Sequence, residues 1–471
     1  MINQTSVASK DSIPSQFLKV LHLKVGIISL LLLCLLCVAL HASWERPIWI
    51  DEFLHFALGS HRTTSEAWDT ISQSVTTVNH GQTGIYMLLD YWLLQFFGAS
   101  RFWLRFPSIL SAIILFGASV YLFHLWRMSF LWKVIGVLSL FSQGTLMFYV
   151  GEARPYMPLV AATVGTLAYY TIPTCNKRDS ILLRALGLSF ILFGVLFHPY
   201  FSIYWLTICI FTFVQKWIEE DKFKLSISSF IYHADVPIFI LGFTTYFILG
   251  FATWLKGKPD FSFDPFEWLK NDSLSNVFFD LSHMQFLRGA VYPFLTLVLS
   301  MMLLIVFLPR LRATSLRLLI SPTILLAFTF SISIFLSYVS FLQKYWILPR
   351  QWVASMALSA LACVLFAHVI FKVLANFHIF VAIIWFGLFS TPILANAQQT
   401  FNTNLPQLIQ ATIPVRLNYP NPLISEYQLQ FPKNNDEWVS LANENIRQKG
   451  AVWSIFRAYY SKDTSGLWKR E

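Results

Sequence analysis

The amino-acid sequence predicts an all-α protein that crosses a membrane many times. Of its 471 residues, 56% are hydrophobic and only 12% are charged, and the mean hydropathy is +0.58. Soluble domains carry about a quarter of charged residues, so this composition excludes a soluble globular protein. Long apolar runs separated by short basic loops recur along the chain, a pattern typical of polytopic membrane proteins.

The net charge of +10 is modest for this length, and most Lys and Arg residues lie in the short loops between apolar runs. Such a distribution indicates membrane topology rather than nucleic-acid binding. No contiguous basic patch occurs, so we expect no nucleic-acid partner.

The five cysteines show neither the spacing of metal ligands nor that of an extracellular disulfide framework. They lie inside apolar runs or in one short basic loop, at Cys34, Cys37, Cys175, Cys209 and Cys363. We therefore expect no disulfide bonds.

The N-terminal segment, residues 1–21, is polar, and Lys19 and Lys24 directly precede the first apolar run at 25–40. Basic residues before a span favour a cytoplasmic N-terminus. A cleaved signal peptide is the alternative. The run is long and its exit lacks the small-residue pattern of a cleavage site, so we prefer an uncleaved first span.

A long outer loop, 42–102, follows and contains a second apolar stretch at 84–97. Its length of about 14 residues falls short of the ~20 needed to cross a bilayer, and Asp90 lies in its middle. We predict a helix in the membrane interface with Asp90 turned to water. The side chains expected to face lipid or protein are Tyr86, Leu89, Leu93 and Phe97.

If the 84–97 helix does not cross, the later basic loops face the cytoplasm, as the positive-inside rule requires. Further spans are then predicted at 103–125, 131–150, 155–172, 181–197, 199–215, 234–254, 290–308, 317–341, 350–371 and 374–394. With the first, this gives about eleven spans within a transmembrane domain at 22–395 and places the C-terminus outside. The remaining 396–471 form an extracytoplasmic region too short to count on as an independent domain.

Polar and charged residues collect at the predicted outer rim of the spans. They are Asp51-Glu52, Asn79-His80, Arg101, Arg105, Glu152-Ala153-Arg154-Pro155-Tyr156, His198-Pro199-Tyr200, and Lys344-Tyr345 with Pro349-Arg350. Singly, each has a structural explanation as a helix cap, a snorkelling side chain or a headgroup anchor. Together, on one side of the membrane, they indicate a functional site.

These residues, in this order, resemble the motifs of the polytopic GT-C glycosyltransferases, in the bacterial PMT/ArnT-like (family 39-like) branch. The Asp-Glu pair after the first span is matched by Asp51-Glu52, and the Glu-Ala-Arg-x-Tyr motif stands intact at Glu152 to Tyr156. The other matching segments are Asn79 to Tyr86, Gly98 with Leu104-Arg105-Phe106-Pro107-Ser108, His198-Pro199-Tyr200 and Pro349-Arg350. The resemblance covers roughly residues 20–395.

The resemblance implies a GT-C fold and transfer of a sugar from a polyprenyl-phosphate donor to a glycan, lipid or protein acceptor. The site would lie on the outer, periplasmic face of the bacterial inner membrane, in contact with membrane lipid. Asp51 is the expected general base, since a carboxylate with restricted solvation can be tuned toward the working pH. Glu52 or Glu152, also expected to be catalytic, would orient the acceptor or hold a divalent cation through oxygen ligands. The residues expected to bind such a cation, if one is used, are Asp51 and Glu152.

Arginine side chains suit the phosphate of such a donor, because their guanidinium groups pair bidentately with phosphate oxygens. Arg350 and Arg154 are the expected phosphate clamps. The other residues expected to bind substrate are His80, Tyr86, Arg105, His198, Tyr200 and Lys344.

Two other classes of function remain open at this point. A flippase or transporter of lipid-linked sugars would also be polytopic, but it favours ionisable or Gly/Pro-broken segments at mid-membrane depth. A non-catalytic envelope-assembly protein would keep the spans without needing the acids.

Overall fold

The computed structural model describes residues 15–45, 52, 55–56, 58–59, 61–74, 84–98, 100–172, 180–198, 200–220, 236–246, 248, 319–320, 322–329, 331–332, 335, 338 and 353–402. Over these residues the protein is helical and contains no strand. The first six helices are α1 (Ser15–Glu45), α2 (Thr64–Ser74), α3 (Gly84–Phe97), α4 (Arg101–Leu125), α5 (Phe130–Phe141) and α6 (Gly144–Val150). The other six are α7 (Tyr156–Thr171), α8 (Ile181–Phe197), α9 (Phe201–Glu220), α10 (Val236–Tyr246), α11 (Val353–Phe377) and α12 (Ile379–Asn402).

Helix α7 lies at the centre of the described bundle. All its residues from Tyr156 to Tyr170 are buried, and it packs against α4, α8, α9 and α11. Small residues such as Ala161, Ala162 and Gly165 allow neighbouring helices to approach closely. A helix that is apolar on every face belongs in such a core. Because α7 follows the Glu152-Ala153-Arg154 turn directly, that turn is anchored to the best-buried element.

The predicted all-α membrane fold is confirmed over the described residues. Four helical segments there are long and apolar enough to cross a membrane: Leu23–Leu40, Arg101–Leu125, Val353–Asn376 and Ile379–Gln398. Several predicted boundaries agree closely with the helices, and α8 has the bounds expected from the sequence. The predicted 290–308 span and the C-terminal region from 403 onward lie outside the described residues.

The predicted span at 131–150 is wrong as a single helix, because it is broken into α5 and α6. The break falls at Ser142 and Gln143, where the backbone of Gln143 is extended. The Ser142 hydroxyl and the Gln143 amide both donate to the Ser139 carbonyl, at 3.4 Å each. Polar side chains that bond nearby carbonyls in this way compete with helical hydrogen bonding, which explains why the helix ends there.

The predicted break between the spans at 350–371 and 374–394, which falls at Lys372 and Val373, is also displaced. Helix α11 continues through Lys372 to Phe377, and the chain turns instead at His378, whose N–H donates to the Leu374 carbonyl at 2.8 Å. A lysine near a helix end can extend its long side chain toward water without ending the helix. The charge at Lys372 therefore does not mark the end of the helix.

Candidate active site

A buried ion pair joins Glu52 to the first turn of α4. The Arg105 guanidinium donates two hydrogen bonds to the Glu52 carboxylate, from Nε to Oε1 at 2.8 Å and from Nη2 to Oε2 at 2.6 Å. The Ala153 backbone N–H donates a further bond to Oε1 at 2.8 Å. Both charged side chains are fully buried, and buried charges require such pairing. The segment that follows the first span is thereby fixed to the turn between α6 and α7.

Ser108, one turn further along α4, ties the same turn to α3. Its hydroxyl donates to the Glu152 carbonyl at 2.5 Å and lies 3.3 Å from the Arg154 carbonyl. Since a serine has one hydroxyl proton, its oxygen accepts the hydrogen bond from the Tyr86 hydroxyl, at 3.3 Å. Burial raises the pKa of Tyr86 well above its usual value, so the phenol stays neutral and can donate this bond.

Asp90 is fully buried, and the prediction that it faces water is wrong. Its Oδ2 lies 2.6 Å from Nδ1 of His55, which is also fully buried. Burial raises the pKa of the Asp90 carboxyl well above its usual range; the negative charge of Glu52 adds to the increase, and Arg154 opposes it. The raised pKa favours a protonated Asp90 carboxyl group that donates a hydrogen bond to Nδ1 of a neutral His55. A carboxyl group that has a buried hydrogen-bonding partner can face the protein interior. The apolar periodicity of α3 gives no information about such a partner.

Arg154, His198 and two tyrosines form the remaining wall of the cluster. The Arg154 guanidinium lies 5.8 Å from the ring centroid of Tyr156, within the usual range of a cation–π contact. The ring of His198 lies 5.8 Å from Tyr156 and 5.1 Å from Tyr200. Burial lowers the pKa of His198 to about 3, and the positive charge of Arg154 adds to this. His198 is therefore neutral at pH 7.

A backbone contact determines which ring nitrogen of His198 carries the proton. Its Nδ1 accepts a hydrogen bond from the Tyr200 N–H at 3.2 Å. A neutral imidazole carries one proton, so the proton lies on Nε2. The ring can then donate a hydrogen bond from Nε2.

The structure brings together seven of the residues predicted to form the site. These are Glu52, Tyr86, Arg105, Glu152, Arg154, His198 and Tyr200. The other four, Asp51, His80, Lys344 and Arg350, lie outside the described residues, so their predicted roles stay predictions. Arg105 differs from expectation in its contact: its Nε and Nη2 bind Glu52.

Sequence reasoning assigned no role to two members of the cluster, Ser108 and His55. Ser108 ends the matched segment Leu104 to Ser108, but a serine in an apolar helix gives no signal of its own. His55 follows Glu52 at a spacing of three, which places both on one face of a helical turn. That spacing was the available signal for His55. Nothing in the sequence links His55 to Asp90, 35 residues away.

The divalent cation remains a prediction. Among the described residues, no group of three or more His, Cys, Asp or Glu side chains is arranged to hold a metal ion. The oxygens of Glu52 bind Arg105 and Ala153. Of the two predicted cation ligands, Asp51 and Glu152, only Glu152 is among the described residues. The four described cysteines, Cys34, Cys37, Cys209 and Cys363, are free thiols.

Two solved structures are similar to the chain, both of ArnT from Cupriavidus metallidurans. The crystal structure bound to undecaprenyl phosphate is 13% identical, covers 81% of this chain and 77% of that chain, and has a TM-score of 0.48. The crystal structure in the apo state is 14% identical, covers 93% of this chain and 91% of that chain, and has a TM-score of 0.47. No protein-family model matches the chain, and no curated protein does.

Proposed function

We propose that this chain is a membrane glycosyltransferase that moves a sugar from a polyprenyl-phosphate-linked donor to an acceptor hydroxyl. The observation that carries the proposal is the clamp of Arg105 and the Ala153 N–H on Glu52. Glu52 and Ala153 belong to the two most intact motifs of the resemblance, and they are 101 residues apart. A site built from both motifs requires that they meet.

The proposed reaction is a single displacement at the anomeric carbon. The carboxylate of Asp51 takes the proton from the acceptor hydroxyl while the acceptor oxygen attacks that carbon. The bond from the anomeric carbon to the phosphate oxygen breaks, and polyprenyl phosphate leaves with the electron pair. One displacement inverts the anomeric configuration. In this scheme Glu52 is a positioning residue: its carboxylate binds Arg105 and Ala153, and its proposed role is to position Asp51, which precedes it in the chain.

The leaving phosphate gains negative charge and needs cations around it. Arg154 is the described candidate, since it is buried and its contact with Tyr156 orients the guanidinium. Arg350 and Lys344 are proposed as further phosphate ligands. Neutral His198 would donate from Nε2 to a sugar or phosphate oxygen. Tyr86, Tyr200 and His80 would line the sugar, and Glu152 would orient the acceptor.

The location and partners follow from the same proposal. The site would open to the outer face of a bacterial inner membrane, where the donor diffuses in the bilayer. The acceptor would be a glycan, a lipid or a protein. A divalent cation bound by Asp51 and Glu152 is tested by repeating the assay below with a chelator and with added Mg²⁺.

The test uses the purified full-length protein in lipid nanodiscs with a panel of polyprenyl-phosphate sugars labelled in the sugar. An envelope extract supplies acceptors. The expected result is loss of label from the lipid fraction for at least one donor. Asp51→Asn should lower kcat by about 10²–10⁴-fold with donor affinity within a few-fold. Asp69→Asn is the matched control, since it makes the same change on exposed α2 of the same loop, and it should retain activity.

Three results would contradict this assignment in different ways. Loss of label unaffected by Asp51→Asn but abolished by Glu152→Gln would move the base to Glu152. Label that crosses a vesicle bilayer while still attached to lipid would favour the flippase. No turnover with any donor, from protein that is folded and binds none of them, would leave the glycosyltransferase proposal without support.

A further inference from the structure

The opposite end of α4 carries a second cluster of charged side chains, and all its charges are positive. We define the basic cluster as Lys24 of α1, Arg127 after α4, Lys133 of α5 and Lys372 of α11. About 28 Å of helix, nineteen residues at ~1.5 Å each, separate Arg105 from His124 at this end. The cluster is therefore remote from the proposed active site.

Packing between helices brings the elements that carry these four cations together, although they are far apart in sequence. Lys133 Nζ donates to Nδ1 of His124 at 3.4 Å, which holds the lysine against the end of α4. The neighbouring Trp132 ring lies 5.5 Å from His368 and 5.7 Å from Phe371, so the start of α5 meets the end of α11. Helix α1 packs against α4 and α5. The cations thus come from four separate elements.

Like charges repel within two pairs of this cluster. Lys24 acts electrostatically on Lys133, and Arg127 acts on Lys372. The buried pairs of titratable side chains found in the described part of the chain, His55 with Asp90 and Arg105 with Glu52, include none of the four. Like charges held together by packing favour a negatively charged ligand.

Arg127 stands where the backbone favours glycine. Its φ is 52°, and it is the one non-glycine residue with positive φ among those described. Its N–H donates to the His124 carbonyl at 2.9 Å, and the Met128 N–H donates to the Phe123 carbonyl at 3.0 Å. These two bonds define a Schellman motif, in which the left-handed position is usually glycine. An arginine there accepts backbone strain and keeps a cation in the cluster, and such strain is common at functional sites.

The side chains around the cations indicate which class of anionic ligand would bind there. Exposed apolar side chains flank the basic residues: Leu23 and Val25 beside Lys24, and Leu131 near Lys133. A ligand that satisfies both features has a phosphate next to acyl chains. Basic pockets between transmembrane helices bind lipid headgroups in this way.

We infer that Lys24, Arg127, Lys133 and Lys372 form a binding site for the headgroup of an anionic phospholipid. The site does not depend on the proposed glycosyltransferase activity. It also differs from the general attraction of basic loops to a negative membrane surface, because it requires these particular side chains to act on one headgroup.

The experiment measures lipid retention by the full-length protein, purified in detergent and analysed by native mass spectrometry after addition of mixed micelles. One micelle set contains phosphatidylglycerol and phosphatidylcholine, and the other contains phosphatidylcholine alone. The expected result is selective retention of phosphatidylglycerol. Removing one cation should weaken retention by about fivefold, the effect of one basic residue near a charged membrane surface.

Arg127→Gly is the most informative variant, because glycine suits the backbone of this turn and folding is preserved. Lys133→Gln supplies a second variant that leaves the turn unchanged. Arg184→Gln is the matched control: Arg184 is an exposed cation on the first turn of α8 and is not part of the cluster. Retention should fall for Arg127→Gly and Lys133→Gln and stay unchanged for Arg184→Gln.

Equal losses for all three variants would overturn the site, since general surface charge would then explain retention. Equal retention of phosphatidylglycerol and phosphatidylcholine by the unmodified protein would also overturn it. A final arm adds inorganic phosphate. If phosphate displaces the lipid at matched concentration, the cluster is a site for free phosphate and the lipid assignment is wrong.

Discussion

The charged side chains at the two ends of α4 differ in burial and in pairing. At the Arg105 end, an arginine and a glutamate are fully buried and paired, and a histidine and an aspartate share a short hydrogen bond. At the Arg127 end, the cations are exposed or half-buried and have one sign. Buried ions are stable only with a partner, whereas hydrated ions need none. One end can therefore hold reacting groups in fixed geometry, while the other is suited to a ligand that brings its own negative charge.

The largest expected effect comes from breaking the buried ion pair. Glu52→Ala should lower the free energy of unfolding by about 3–5 kcal/mol, because the Arg105 guanidinium is left buried without its carboxylate. Lys133→Ala, at the other end of α4, should change the free energy of unfolding by less than about 1 kcal/mol. Denaturation of both variants in the same detergent measures the contrast.

Replacing the pair as a whole sharpens this result. Glu52→Leu with Arg105→Met should recover most of the stability lost in Glu52→Ala, since neither charge of this pair remains buried without its partner. Activity should not return, because Glu52 no longer holds the segment that contains Asp51. A double variant as unstable as Glu52→Ala would contradict the view that the uncompensated charge causes the loss.

The His55–Asp90 pair tests whether every buried polar contact at this end is an ion pair. Asp90→Leu should cost about 1–3 kcal/mol, because it removes the hydrogen-bonding partner of a buried ring nitrogen. Asp90→Asn should cost less than about 1 kcal/mol if both groups are uncharged, since an amide can replace a protonated carboxyl group. Thermal unfolding of both variants at pH 7 compares them.

If Asp90→Asn proves as destabilising as breaking the Glu52–Arg105 pair, the proton lies on His55 and the two groups are charged. That outcome would contradict the neutral description given above. His55 and Asp90 would then both be charged in the interior at this end of α4, in contrast to the neutral state that the raised pKa of Asp90 favours.

These pairs also show how far the sequence alone could lead. The apolar runs predicted the start of α4 to within two residues and its end at Leu125, and they predicted both bounds of α8, because continuous apolar sequence favours a helix buried in an apolar environment. The motif order predicted that Glu52 and Glu152 share a site. The partners of Glu52 and Asp90 lie 53 and 35 residues away, and helix packing, which local sequence does not encode, brings them together.

Side-chain contacts that a hydropathy pattern does not reveal also explain the two wrong predictions, for Asp90 and for the 131–150 span. An aspartate in an apolar helix predicts a water-facing side chain when no partner is known, and His55 is the partner that reverses this for Asp90. The polar residues from Ser139 to Gln143 break the predicted 131–150 span through side-chain contacts with the Ser139 carbonyl. A hydropathy pattern averages over such contacts and therefore reads one continuous span.

The pH dependence of stability should come from the buried end. The pKa of His198 falls from 6.5 to about 3 on folding, so its contribution is fully present above about pH 6.5 and is lost as pH falls toward 3. At pH 5 the loss is about 2 kcal/mol, from roughly 1.4 kcal/mol per pH unit. Unfolding midpoints at pH 7 and pH 5 should therefore differ more for the unmodified protein than for His198→Gln.

His124→Gln is the control for this measurement, because His124 is exposed at the other end of α4. It should leave the difference between pH 7 and pH 5 unchanged. The comparison between variants matters here, because the raised pKa of Asp90 acts in the opposite direction: its contribution to stability falls as pH rises through the folded pKa. A His198→Gln variant with the full pH dependence would contradict the burial-driven shift.

The smallest expected effect is a gain of stability at the exposed end. Arg127→Gly should raise the free energy of unfolding by about 1 kcal/mol or less, since glycine adopts the left-handed conformation of this turn without the cost that other residues meet. Arg127→Ala removes the same charge but keeps the strained backbone, so it should bring little of that gain. Chemical denaturation of the two variants separates backbone strain from charge. A loss of stability in Arg127→Gly would mean that the guanidinium stabilises the fold through a partner, and the two ends of α4 would then follow the same rule of paired charge.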